Sequence, residues 1–285
     1  MDKTIKITGV QMESVILDKA RNLARCLEMI DIAAREGARL VLLPEAALSG
    51  YVFGSLEEAL PVVETVPGPS TERIKDYCRE LKVHVVIGLL EEDRGKHYNT
   101  AVLVGPSGLI GKYRKSHLPY VGIDRFLNHG DLPWQVYDTD IGKIGLGICY
   151  DLDFPEHARV MSLMGAEVII LVTNWPQGVE FAPEHLVHTR AIENSVYCLA
   201  VNRVGEERGI KFFGRSKFVD CQGRTIAEGK AYREDILYAE INPALARQKH
   251  RVRIPGEFEV NLIGDRRPEL YGMLAQPSAG NSPVR

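Results

Sequence analysis

Three reactive side chains stand where apolar runs end. Glu45 follows Leu42-Leu43-Pro44 and precedes Ala46-Ala47-Leu48. Lys115 ends the basic stretch Lys112-Tyr113-Arg114-Lys115. Cys149 closes Gly145-Leu146-Gly147-Ile148 and leads into Tyr150-Asp151-Leu152-Asp153-Phe154-Pro155-Glu156. A carboxyl among apolar neighbours loses solvation, which favours its neutral form and lifts its pKa toward the range of a general base. A thiol at a strand-to-helix elbow has the geometry of a nucleophile, and the next backbone N–H, that of Tyr150, is an oxyanion donor. A free thiol with pKa ~8.5 is only about 3% thiolate at neutral pH. It therefore needs a base to take its proton and a cation beside its anion, and a Glu and a Lys supply both. Each residue also has a plain structural use: a strand-end carboxylate on a backbone donor, a solvated basic strand end, a buried inert thiol. Spacing along the chain does not by itself bring the three together.

The elements that must position them follow from hydrophobic period. Ile5, Ile7, Val10 and Met12 mark an opening strand. Residues 18–36 read as a helix on Leu23, Cys26/Leu27, Ile30 and Ala33/Ala34, with Gly37 as its C-terminal stop. Leu40 to Leu43 is a short strand, 71–81 a second helix, and 83–89 the next strand. Hairpin turns are predicted at 93–95 and 105–108. In the second half, 143–150, 167–174, 196–204, 216–220 and 236–241 read as strands, with a turn at Gln222-Gly223. Residues 155–164 and 183–195 read as helices, and a short basic helix follows Pro243. In the basic stretch, strand alternation puts Tyr113 and Lys115 on one face and Lys112 and Arg114 on the other, so that Lys115 points inward and Arg114 outward. Several strands are apolar on both faces and belong in covered sheets. Hairpins among them exclude an all-parallel sheet and predict a mixed α+β layered sandwich.

With no linker in view, residues 1–263 form one expected domain, and 264–285, rich in Pro, Gly, Ser and Arg, an extended tail at the surface or across a subunit neighbour. The chain has 285 residues and a net charge of −3, which argues against a dedicated nucleic-acid binder. No run approaches the ~20 apolar residues of a membrane span, and no signal peptide is visible at the N-terminus. Five cysteines, at 26, 78, 149, 198 and 221, are too few and odd in number for a disulfide scaffold, so a cytoplasmic protein is expected. His129, His185 and His188 lack a tight ligand motif, so no metal is expected. Arg190 and Glu193, three apart on a helix, read as a structural pair.

Together the three stretches resemble the nitrilase superfamily of carbon–nitrogen hydrolases, in its amidase-like branches. That resemblance is carried by Leu43-Pro44-Glu45…Gly50-Tyr51, Tyr113-Arg114-Lys115-Ser116-His117-Leu118 and Gly145 to Glu156. Arg190-Ala191-Ile192-Glu193-Asn194 and Gly214-Arg215-Ser216…Asp220…Gly223 support it, in the same order along residues 5–242. It implies a four-layer αββα sandwich in which Glu45 is the general base, Cys149 the nucleophile, and Lys115 with the Tyr150 N–H the oxyanion donors. The implied reaction is hydrolysis of a non-peptide C–N bond in a small amide through a thioester, with release of ammonia and no cofactor or metal. An N-carbamoyl (ureido) substrate, a nitrile and acyl transfer remain alternatives, as does a non-catalytic scaffold. True nitrilases tend to be longer, and many place Trp where this chain has Tyr150. The expected partners are the small-molecule substrate, water and a second copy of the chain, in a homodimer or higher homo-oligomer.

One departure stands out. Between the Lys and the Phe126…Gly130-Asp131 turn, many members carry a second Glu, and this chain has none there. Asp124 is the nearest acid, one residue off the usual spacing. It is either a substitute that orients Lys115 or the substrate, or a loop acid paired with Arg125. Tyr51, Asn174 and Trp175 are the expected pocket residues, the last two at the end of a strand that should open on the same mouth.

Overall fold

The computed structural model describes residues 4–277. The first half runs β1 (Ile5–Gln11), α1 (Lys19–Arg35), β2 (Leu40–Leu42), α2 (Leu56–Ala59), α3 (Pro69–Leu81), β3 (His84–Asp93), β4 (Lys96–Gly105) and β5 (Gly108–Arg114). The second runs β6 (Val136–Thr139), β7 (Gly142–Ile148), α4 (Pro155–Leu163), β8 (Val168–Thr173), α5 (Val187–Asn194), β9 (Tyr197–Asn202), β10 (Val204–Glu207), β11 (Ile210–Phe213), β12 (Lys217–Val219), β13 (Thr225–Glu228) and β14 (Asp235–Ile241). Two six-stranded sheets result, ordered β14-β1-β2-β3-β4-β5 and β13-β12-β9-β8-β7-β6. In each, three adjacent strands are parallel (β1, β2 and β3; β7, β8 and β9) and the flanking strands antiparallel. Helical crossovers are what parallel neighbours require.

The period-2 alternation of β2 and β3 divides their side chains between two cores. Leu40, Leu42 and Val86 face inward with Leu146, Ile148, Ile170 and Val201 of the other sheet. Val41, Val85 and Ile87 face outward onto Cys26, Ile30, Ile74 and Cys78 of α1 and α3. Both faces are therefore dry, which is why these strands read as continuous apolar runs. The arrangement is the αββα sandwich expected from the sequence. Asp18 starts α1 by accepting from the Arg21 N–H at 3.1 Å, and Pro69 occupies the first turn of α3.

Some elements differ from expectation. Residues 183–195 are not one regular helix: Ala182–Leu186 forms a wider π turn before α5. The turn at Gln222-Gly223 is followed by the short strand β13, and the stretch beyond Pro243 is a single 3₁₀ turn. By compactness the chain divides into one unit ending at Arg247 and a second beginning at Gln248. The second unit holds an antiparallel hairpin, β15 (His250–Ile254) and β16 (Phe258–Asn261), around the Pro255-Gly256 turn. Arginines alternating with Val252 and Ile254 disguise the strand as a basic segment. Residues 264–277 are not simply extended, since they carry 3₁₀ turns at Pro268–Leu270 and Gly272–Ala275. The rest of the expected tail, 278–285, lies outside the described residues. No helix among the described residues is long and apolar enough to cross a membrane.

One glycine couples this scaffold to the first reactive residue. The Gly88 N–H donates to the Pro44 carbonyl at 3.0 Å, and the Ala47 N–H donates back to the Gly88 carbonyl at 2.9 Å. A Cβ on Gly88 would stand 2.6 Å from both the Glu45 Cα and the Ala46 nitrogen. Gly88→Ala should therefore destabilise the protein by about 1–3 kcal/mol, the cost of overpacking a filled site. Thermal unfolding measures this; an unchanged melting temperature would show that the Glu45 loop yields freely.

Candidate active site

Each of the three sequence-predicted side chains is delivered by the end of a strand. β2 stops at Leu42, and the Leu43 N–H still donates to the Val86 carbonyl at 2.8 Å, which brings Glu45 under the sheet edge. The loop beyond is fixed by Glu207, whose Oε2 accepts from the backbone N–H groups of Tyr51 and Val52, each at 2.9 Å. Glu207 is in turn held by Arg203 at 2.5 Å, a fully buried pair. Lys115 follows β5; its N–H donates to the Asn99 carbonyl and its carbonyl accepts from the Gly130 N–H, both at 2.8 Å. Cys149 follows β7 with φ +46°, a conformation that costs a non-glycine residue about 1–3 kcal/mol and collects at functional elbows.

Asp151 locks that elbow to the Lys115 loop. Its Oδ2 accepts from the Ile148 N–H at 3.0 Å and the Tyr113 hydroxyl at 2.8 Å. Its Oδ1 accepts from the His117 N–H at 3.1 Å and lies 2.7 Å from His117 Nδ1. Although Asp151 is fully buried, the imidazoles of His117 and His157 and the Ile148 N–H overcome desolvation and hold its carboxyl below the usual range. Arg190 supports the same turn, donating to the Leu152 carbonyl at 3.0 Å and pairing with Glu193 at 3.1 Å.

At the centre Lys115 Nζ lies 2.7 Å from Glu45 Oε1 and 2.5 Å from Asp124 Oδ2. Asn99 Nδ2 donates to the same two acids, at 2.7 Å to Glu45 Oε1 and 3.0 Å to Asp124 Oδ1. The Tyr51 hydroxyl donates to Asp124 Oδ2 at 2.8 Å. All five residues are buried. Asp124 thus faces inward onto Lys115, while Arg125 donates to the carbonyls of Gly122 and Phe53.

The charges explain how the group would work. Burial raises the Glu45 carboxyl, and Asp124 raises it further against the opposing pull of Lys115. Burial pushes Lys115 down, but Asp124 and Glu45 outweigh it and keep the ammonium charged. Burial raises the Cys149 thiol well above its ordinary value, and Glu45 adds to this, while Lys115 and the Asn174 N–H oppose it. The thiol therefore rests neutral. Glu45 Oε2 has no hydrogen-bond partner, so one carboxylate oxygen is fixed by Lys115 and Asn99 and the other is open to a proton.

Cys149 opens on a cavity of 180 Å³ that is also lined by Tyr51, Tyr150, Asn174, Trp175, Phe181 and Phe212. The three expected pocket residues thus meet at the thiol. Both polar atoms of the buried Asn174 carboxamide lack a partner in the protein. Among the described residues no cluster of three or more His, Cys, Asp or Glu side chains could hold a metal ion.

The basic stretch is arranged differently from its expected alternation. Arg114 is buried, not outward, and meets Glu91, Asp93 and Asp131, each at 2.7 Å. Pleat alternation ends with β5, so it does not govern Lys115, and three carboxylates distant in sequence repay the burial of Arg114. Asn99, Asp151 and Glu207 were not expected as site residues. The signal for Asn99 is the polar pair Asn99-Thr100 directly before the apolar run Ala101 to Val104.

A family model described as Carbon-nitrogen hydrolase matches residues 6–251. A protein named "Nitrilase" from Pyrococcus abyssi is 38% identical over 268 residues, covering 94% of this chain and 99% of its own. An "(R)-stereoselective amidase" from Pseudomonas sp. is 37% identical over 228 residues, covering 79% and 80%. The crystal structure of a carbon-nitrogen hydrolase from Helicobacter pylori G27 superposes with a TM-score of 0.82 at 25% identity, covering 97% and 99%.

The electrostatics make a prediction that needs no substrate. Iodoacetamide should alkylate Cys149 at a rate that falls as pH drops through the raised Glu45 pKa, above the ordinary carboxylate range. Asp124→Asn removes a charge that raises Glu45, so the acid limb should move to lower pH. Asn99→Ala removes a donor to its carboxylate, so the limb should move to higher pH. Intact-mass time courses across pH measure all three, and one common profile would mean that Glu45 does not control the thiol.

Proposed function

Because the chain belongs to the carbon–nitrogen hydrolase family, we propose that it hydrolyses a small non-peptide amide through a thioester on Cys149. The observation that carries this reading is the buried Glu45–Lys115 contact at 2.7 Å, which leaves Glu45 Oε2 unpaired and within the field of the Cys149 thiol. Glu45 takes the Cys149 proton as the sulfur attacks the amide carbon. The new oxyanion accepts from Lys115 Nζ and the Tyr150 N–H. Glu45 returns the proton to the nitrogen, the C–N bond breaks, and ammonia leaves. Water then gives a proton to Glu45 and attacks the thioester; collapse releases the carboxylic acid and restores the thiol. Asp124 takes the place of a second Glu by holding Lys115 and Tyr51 in position.

The name of the Pyrococcus relative favours a second substrate, a nitrile, at the same thiol. Ammonia release from amides and nitriles, assayed side by side, separates the two. Cys149→Ala should abolish release, and Glu45→Gln should lower kcat by about 10²–10⁴, the worth of a general base. Equal release by Cys149→Ala, or neither turnover nor an acyl adduct on Cys149 across a broad panel, would overturn the proposal.

We also propose that the chain works as a homo-oligomer. Leu163 and Met164 at the end of α4 and Ile192 on α5 are more than 40% exposed, an apolar surface suited to a second copy. Light scattering at micromolar concentration should report at least a dimer; a monomer contradicts this.

A further inference from the structure

The cavity beside Cys149 carries information about the acyl half of the substrate. Its volume is 180 Å³. An apolar cavity of about 150 Å³ accepts a benzene ring, so this one has room for about six carbons. The walls are chiefly apolar: Val121, Trp175, Val179, Phe181 and Phe212 contribute, and neither Lys nor Arg lines the space. Asn174 offers an unpaired donor and acceptor without charge.

The lining has one charged residue, Asp153. It closes the 3₁₀ turn that begins at Cys149, and it is exposed at the cavity rim. The nearby Arg190 is committed to Glu193 and to the carbonyls of Leu152 and Asp153. A carboxylate at the far end of a substrate would lose water, find no cation among the lining residues and approach a like charge.

We propose that the substrate's acyl group is uncharged and apolar, of about four to six carbons, and that Asp153 excludes amides whose far end is a carboxylate. This deepens the amide-hydrolysis reading and rests on it. Three amides of matched length test it: hexanamide, the monoamide of adipic acid, and 6-aminohexanamide. In the wild type, kcat/KM for hexanamide should exceed that for the carboxylate amide by at least about 30-fold, and should exceed that for the amino amide. Asp153→Asn and Asp153→Lys should each narrow the hexanamide-to-carboxylate ratio, Lys more than Asn. Equal turnover of the carboxylate amide, faster turnover of the amino amide, or a ratio unmoved by both variants overturns the inference. If none of the three amides releases ammonia or leaves an adduct on Cys149, the amidase reading itself fails, and that outcome is distinct from a wrong order among them.

Discussion

Lys115 carries its charge between two carboxylates in a place that water does not reach. Burying one ion alone costs several kcal/mol, and the cost is offset only when partners and hydrogen bonds are in place. Here the partners outnumber the cation. Glu45 and Asp124 bracket a single ammonium, with Asn99 and Tyr51 donating to the acids. Burial raises Glu45 and keeps Cys149 a thiol, the neighbouring acids add to both shifts, and the same acids keep Lys115 protonated. The burial that keeps the Cys149 sulfur neutral also raises the Glu45 carboxyl beside it.

Such a cluster demands rigid delivery, and the fold supplies it through backbone bonds. The Glu45 loop is fixed to β3 at Gly88 and to the Arg203–Glu207 pair through Tyr51 and Val52. The Lys115 loop is fixed through Asn99, whose backbone holds Lys115 in place while its side chain bridges the two acids. Asp151 then joins this loop to the strained Cys149 elbow, taking donors from Ile148 on one side and Tyr113 and His117 on the other. A left-handed cysteine persists because its surroundings over-determine it.

The parts of this arrangement legible in the sequence are those encoded locally. Period and apolar runs mark the strands that share two cores, and Glu45, Lys115 and Cys149 are conspicuous because each ends one of them. Local pattern turns Arg114 outward, because its burial depends on Glu91, Asp93 and Asp131, which no local pattern links to it. Asn99 resembles a strand polar residue until the fold puts Glu45 and Asp124 on its amide. Asp151 lies within the cysteine stretch, yet its role depends on donors from a loop more than thirty residues earlier. The hairpin at 250–261 was hidden by charge, since alternation with arginine looks like a solvated segment.

The origin of the three groups has a further consequence. Glu45 and Lys115 come from strands of one sheet and Cys149 from the other. The distance between Glu45 and Cys149 is therefore set by how the sheets pack, not by any loop alone. That packing is close: at Gly9 in β1, a Cβ would stand 2.5 Å from the Phe218 ring of β12 and 3.0 Å from a Val201 methyl of β9. Well-packed interiors are stiff and transmit displacement instead of absorbing it. A misfit of about 1 Å at reacting atoms can cost about a hundredfold in rate. Residues buried between the sheets thus act as spacers, because the interface between the sheets is the ruler for the separation of Cys149 from Glu45.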